Sequence, residues 1–193
     1  MLTDEKARLR QEILARREAL EDRPARDVRI HTRLLVTSEW QAASTISTYV
    51  GVKSEVATLP LIAAAFAAGK RVAVPVVEGA SLRLYRIESL EDLAPAPFGL
   101  LEPRRELRRK ARSVVATTIK LFLVPGVAFD AAGGRLGHGK GYYDGLLGRI
   151  KTHIPTLGLA YDVQVVPSVP MSPTDVRLGA VLTESAYYTR QDP

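Results

Sequence analysis

Residues 43–77 read ASTISTYVGVKSEVATLPLIAAAFAAGKRVAVPVV. The first ten residues are rich in β-branched side chains and a tyrosine, which predicts a strand over 43–52. TLPLIAAAFAAGK, at 58–70, predicts a helix that Gly69 brings to a stop. RVAVPVV, at 71–77, predicts a second strand of buried character. Strand, helix and strand in this order form a βαβ unit. It implies a parallel pair of strands joined by a right-handed crossover.

The pattern continues outward. SLRLYRI (81–87) alternates like a strand, and KLFLVP (120–125) is a near-continuous apolar run, as expected of a central parallel strand covered on both faces. GYYDGLLGRI (141–150) can start a helix, PTLGLAY (155–161) returns as a strand, and RLGAVLTE (177–184) predicts another. Residues 3–21 predict a helix with Thr3 as N-cap and Leu9, Ile13 and Leu20 on one side. Lys6 and Arg10 stand four apart, so their side chains leave that helix from one face. The expectation is α/β: a single three-layer Rossmann-like domain over 1–193 with a mostly parallel central sheet.

Composition narrows the function classes. Of 193 residues, 46% are hydrophobic and 25% charged, the balance of a globular chain. No apolar run approaches the ~20 residues that span a bilayer, and MLTDEKARLRQEIL lacks the apolar core of a secretory signal. With no cysteine, disulfides and thiolate metal sites are excluded, and a cytoplasmic location is expected, without a membrane partner. The formal charge of +6 favours anionic partners.

The densest chemistry lies at 133–144, GGRLGHGKGYYD. Gly134 to Lys140 spell the opening of a P-loop, but Gly141 stands where the magnesium-holding hydroxyl belongs. PGVAFDAAGG also separates the strand from the loop. The stretch is therefore a phosphate cradle of another kind. Gly137, Gly139 and Gly141 leave backbone N–H groups bare, Arg135 and Lys140 add charge, and a helix N-terminus follows. Asp144, just beyond Gly141, can supply a carboxylate to magnesium.

The longer stretch VPGVAFDAAGGRLGHGKGYYDGLL (124–147) resembles the signature of 5-formyltetrahydrofolate cyclo-ligases. K-x-x-x-R in the first helix, Glu55 and Thr58, FGLLEP at 98–103 and the late Asp175 follow in the family's order. The resemblance implies a ligase of one-carbon metabolism. Such enzymes use ATP and Mg2+ to close 5-formyltetrahydrofolate to 5,10-methenyltetrahydrofolate, releasing ADP and phosphate. The formyl oxygen is phosphorylated and N10 then attacks. By resemblance, Lys6, Arg10, Arg135, Gly137, His138, Gly139, Lys140, Gly141, Tyr142 and Tyr143 would bind ATP. Lys140, Tyr143 and Arg135 would be catalytic, and Asp144 and Asp175 would hold the metal. Val50, Glu55, Phe98, Tyr142 and Tyr143 would touch the folate, mono- or polyglutamylated, in a monomeric enzyme.

The chain departs from that pattern in four places. His138 stands where the family usually has Arg, and Ala57 where an acidic residue is common. Lys120 and Gly179 replace further frequent acidic positions. EPRRELRRKAR (102–112) reads as a solvated basic helix able to attract a glutamate tail. It also raises the alternative of a nucleic-acid-binding module, but aromatic interleaving is absent and aromatics are only 6% of the chain, so nucleic acid is not expected as a partner. An ATP-dependent enzyme acting on another acylated amine is the second alternative. The three histidines show no metal-ligand spacing.

Overall fold

The apolar stretch around residue 122 sits at the middle of one large sheet, in a computed structural model that describes residues 2–150 and 153–190. Three helices open the chain, α1 (Leu2–Glu18), α2 (Arg23–Leu35) and α3 (Ser38–Ala42). The predicted βαβ unit follows as β1 (Thr45–Ser47), α4 (Leu59–Ala67) and β2 (Arg71–Glu78). Next come β3 (Ser81–Ile87), the ribbon of β4 (Leu93–Pro95) with β5 (Leu101–Pro103), and β6 (Ser113–Val114). The central strand β7 (Leu121–Val124) leads into a second ribbon, β8 (Ala128–Phe129) with β9 (Arg135–Leu136), and then α5 (Tyr142–Leu147). Strands β10 (Thr156–Leu159), β11 (Ala180–Leu182) and β12 (Tyr187–Thr189) complete the sheet.

The sheet order is β12-β11-β10-β7-β1-β2-β3-β6. Its five inner strands are parallel: Ile46 of β1 lies beside Val72 on one side and Leu121 on the other. The remaining parallel pairs are β7 with β10 and β10 with β11. The pairings toward the edges, β2 with β3, β3 with β6 and β11 with β12, are antiparallel. Alternation along β7 sends Leu121 and Leu123 to a core shared with Ile30 and Leu34 of α2 and Leu61, Ile62 and Ala65 of α4. Phe122 and Val124 go to the opposite core, with Leu146 and Leu147 of α5. Burying each such side chain is worth ~1.5–3 kcal/mol. Two covered faces make the three layers.

Connectivity fixes where a ligand can bind. From β1 the chain crosses by α4 on one face to β2; from β7 it crosses by α5 on the other face to β10. Because β1 and β7 are neighbours and their crossovers diverge, a crevice opens beyond their carboxyl ends. Helix α1 closes the crevice from above: Ile13 packs with Val127, Ala128, Leu136 and Val169.

Several elements differ from expectation, beginning with α1, which already contains Thr3. The strand over 43–52 stops at Ser47, because Thr58 Oγ1 donates to Tyr49 O at 2.6 Å and accepts from Gly51 N at 3.0 Å, folding the segment into a buried loop. The basic run 102–112 is not an α-helix; after β5 it forms two short 3-10 turns, Arg105–Leu107 and Lys110–Arg112. Its Arg108 pairs with Glu102 at 2.6 Å, and Arg112 pairs with Glu88 at 2.9 Å and Asp92 at 3.2 Å. Helices α2 and α3 and strand β12 had no sequence-based counterpart. Among the described residues no helix is long and apolar enough to cross a membrane.

Candidate active site

A cavity of about 750 Å³ fills the crevice. Tyr49 and Val50, just past β1, and Pro125, just past β7, form its centre, with Val74, Pro75 and Val77 of β2 and Leu82 of β3 alongside. Leu100, Leu101 and Glu102 join the lining, and so does the glycine loop, every residue from Arg135 to Asp144.

The loop's shape follows from its glycines. Gly139 has φ 92° beside the Arg10 guanidinium, and Gly141 has φ 68° as the residue that launches α5. An L side chain is strained at either angle. Arg10 Nε donates to Gly137 O at 2.8 Å, so α1 holds the loop directly. Lys6, one turn earlier, pairs with Asp175. Arg17 continues the same stripe: only 3% exposed, it donates from Nε to Ser54 Oγ at 3.0 Å and from Nη1 to Gly126 O at 3.4 Å. The inward stripe of α1 is therefore Lys6, Arg10, Ile13 and Arg17. Three cations and one isoleucine grip the glycine loop, the turn after β7, the loop after β1 and the segment carrying Asp175.

Arg135 is 5% exposed and donates from Nη2 to Asp144 Oδ2 at 2.9 Å. Its guanidinium carbon stands 5.7 Å from the centre of the Tyr143 ring, a cation–π contact. Its Nε is buried without an acceptor among the described residues. A buried unpaired donor costs ~1–3 kcal/mol, and an anionic oxygen beside it would remove that cost. Burial, reinforced by the Glu55 carboxylate, pushes the Tyr143 hydroxyl well above its ordinary 10.0 against the pull of Arg135. Tyr143 thus stays protonated, a hydrogen-bonding group rather than a base. Burial tends to raise the Asp175 carboxyl, yet hydrogen bonds from Lys6 and from Ser172 outweigh it and hold Asp175 below its usual 3.8.

Across the cavity, Glu55 Oε2 accepts from Val52 N at 3.2 Å, and Glu55 Oε1 lies 3.5 Å from His138 Nε2. That contact links the loop after β1 to the glycine loop. Asp144 Oδ1 accepts from Val176 N at 3.1 Å, which ties α5 to the segment carrying Asp175.

Among the described residues no group of three or more His, Asp or Glu side chains gathers to hold a metal. Magnesium asks for less: one or two carboxylates and phosphate oxygens suffice. Asp144 and Asp175 line the cavity together, and each carboxylate has lone pairs beyond those its present partners use. The residues fit a hard, oxygen-seeking cation held with phosphates.

The cavity brings together Lys6, Arg10, Val50, Glu55, Arg135, Gly137, His138, Gly139, Lys140, Gly141, Tyr142, Tyr143, Asp144 and Asp175. The side chain of Phe98 lies outside the described residues. Sequence reasoning missed the apolar lining from β2, β3 and Leu100–Leu101, and the anchoring Arg17. FGLLEP was the only signal for the leucines.

The chain matches the family described as the 5-formyltetrahydrofolate cyclo-ligase family over residues 2–184. A mouse 5-formyltetrahydrofolate cyclo-ligase is 30% identical over 190 residues, covering 92% of this chain and 93% of its own. A protein of Schizosaccharomyces pombe described as a probable 5-formyltetrahydrofolate cyclo-ligase is 31% identical, with 82% and 84% covered. The solved structure of Aquifex aeolicus 5,10-methenyltetrahydrofolate synthetase superposes with a TM-score of 0.83 at 32% identity, over 97% of this chain and 94% of that one.

Proposed function

The chain belongs to the 5-formyltetrahydrofolate cyclo-ligase family, and on that premise we propose that it closes 5-formyltetrahydrofolate to 5,10-methenyltetrahydrofolate using ATP and Mg2+. One observation carries the site assignment: α1 cations, the glycine loop, two carboxylates and the Val50–Glu55 loop share one cavity with an apolar flank.

The chemistry explains the division of that cavity. The formyl carbon on N5 is amide-like, and its oxygen leaves poorly. Attack of that oxygen on the γ-phosphorus expels ADP and makes the oxygen part of a phosphate leaving group. N10 then attacks the carbon, phosphate departs and the N10 proton is lost. Such transfer asks for positioning and charge neutralisation rather than a covalent nucleophile. Lys140 and Arg135 face the developing charge, with Arg10 and Lys6 on the remaining phosphates. Tyr142 and Tyr143 stand at the junction of nucleotide and pterin, and Val50 and Glu55 on the folate side, with Val74, Val77 and Leu82 as the apolar wall. Mg2+, held through Asp144 and Asp175, would neutralise phosphate charge.

Partner exchange supports this reading. Lys6 now neutralises Asp175 and Arg135 neutralises Asp144. Phosphates would draw the two cations and leave both carboxylates to the metal, without a buried charge going unpaired at either stage. The nucleic-acid alternative is not favoured, since Arg108 and Arg112 of the basic run are already committed to carboxylates. A labelled formyl oxygen tests the route: label is expected in the released phosphate, and its appearance in water instead would overturn the proposal.

A further inference from the structure

At the opposite end of the sheet from the crevice lies a second cavity, of about 310 Å³. It is lined by the first residues of β1 and β2, the end of β3, and the segment from β6 to Thr118. Arg71 and Arg86 both enter its lining. Arg86 stands opposite Ala73 in the β2–β3 register, so Arg71 and Arg86 occupy the same sheet face as diagonal neighbours. Two cations so placed repel each other, and no acidic side chain lines the cavity.

Arg71 is exposed and the Arg86 side chain is 43% exposed, so most of their donors meet solvent rather than a protein acceptor. Arg71 Nε donates to Thr45 Oγ1 at 3.0 Å, and among the described residues its two Nη groups have no acceptor. Among the described residues Arg86 reaches only the exposed Glu88, at 3.1 Å from Nη2, a carboxylate shared with Arg112, and its buried Nε has no acceptor. Thr45, beside Arg71 in the β1–β2 register, adds a hydroxyl on the same sheet face, the backbone of Ser113 borders the cavity, and Val115, 66% exposed, forms an apolar rim.

We propose that this cavity is a second anion site, in which Arg71, Arg86 and Thr45 bind a phosphate group, free or carried on a small organic molecule. Paired guanidinium groups suit a tetrahedral dianion because each offers two parallel donors. The site lies outside the catalytic crevice: Thr45 starts β1, and Tyr49, four residues on and past the end of that strand, lines the other cavity. A ligand here would not overlap a nucleotide in the crevice.

Nuclear magnetic resonance on the full chain tests it, because arginine Nε–H and backbone N–H signals report each cavity separately. Inorganic phosphate is expected to shift the Arg86 Nε–H and Ser113 N–H signals saturably, while potassium chloride at equal ionic strength does not. Arg71→Gln and Arg86→Gln, each checked for an unchanged backbone spectrum elsewhere, should weaken binding about tenfold or more. Ethyl phosphate, run alongside, identifies the source: tighter binding than phosphate assigns a phosphomonoester resting on Val115, and equal or weaker binding assigns the free ion. Shifts that never saturate, that chloride reproduces, or that both variants retain with unchanged affinity would overturn the proposal.

Discussion

Arg135 and Asp144, nine residues apart, meet through an Nη2–Oδ2 hydrogen bond of 2.9 Å inside the cavity, with the arginine side chain only 3% exposed. Gly137 makes the approach possible, since a Cβ there would lie 2.8 Å from Arg135 Nη1. The bond bends the glycine loop back on the start of α5. It also sets a carboxylate beside the same basic group that would face a phosphate. A second pair, Lys6 with Asp175, repeats the arrangement from α1. Both pairs are cation–carboxylate couples that ligand binding would exchange.

Asp144→Asn keeps the shape and removes the charge. The magnesium concentration giving half-maximal rate should rise ~10-fold or more, the scale of one charge-assisted interaction. A magnesium titration of the initial rate measures it; an unchanged requirement would remove Asp144 from the metal site.

Lys140→Ala separates catalysis from folding. Lys140 is exposed, so thermal stability should move by no more than ~2 °C. Turnover should fall ~10²–10³-fold, as when one preorganised donor to developing charge is lost. Melting curves and single-turnover rates on the same preparation decide the matter.

His138→Arg places a fixed charge where this chain has an imidazole. The longer side chain can keep the link to Glu55, now 3.5 Å from His138 Nε2, and reach a phosphate. A two- to fivefold lower KM for ATP is expected, roughly the worth of one exposed ion pair. A KM at or above that of the parent would contradict the placing of residue 138 on the nucleotide.

Acid should loosen α1 through Asp175. Its folded carboxyl titrates below the usual 3.8, so the stabilisation from Lys6 and Ser172 is complete above that value and fades as pH falls through the lower folded one. Urea unfolding at stepped pH should show stability falling below about pH 4, with a shallower fall for Asp175→Asn. Equal slopes for the two proteins would show that the contact carries no linkage.

The parts legible in the sequence were those with local causes. The βαβ unit announced itself through β-branched runs on either side of an alanine-rich helix. The glycine loop was readable because φ near 92° at Gly139 and 68° at Gly141 demand glycine. What escaped depended on distant partners. Arg17 is a buried cation in a helix stripe whose pattern it spoils, and its acceptors Ser54 and Gly126 are remote in sequence. The basic run around Arg108 looked helical until Glu88, Asp92 and Glu102 turned it aside. Val74, Val77 and Leu82 could not be told from core residues, since apolar lining and apolar core share one sequence signature.

The most direct test of the central claim mixes the purified protein with 5-formyltetrahydrofolate and Mg-ATP and follows the ultraviolet absorbance of 5,10-methenyltetrahydrofolate. Product is expected only with ATP and magnesium, together with one phosphate released per methenyl formed. No product under conditions in which a known cyclo-ligase turns over, or product formed equally well without ATP, would contradict it.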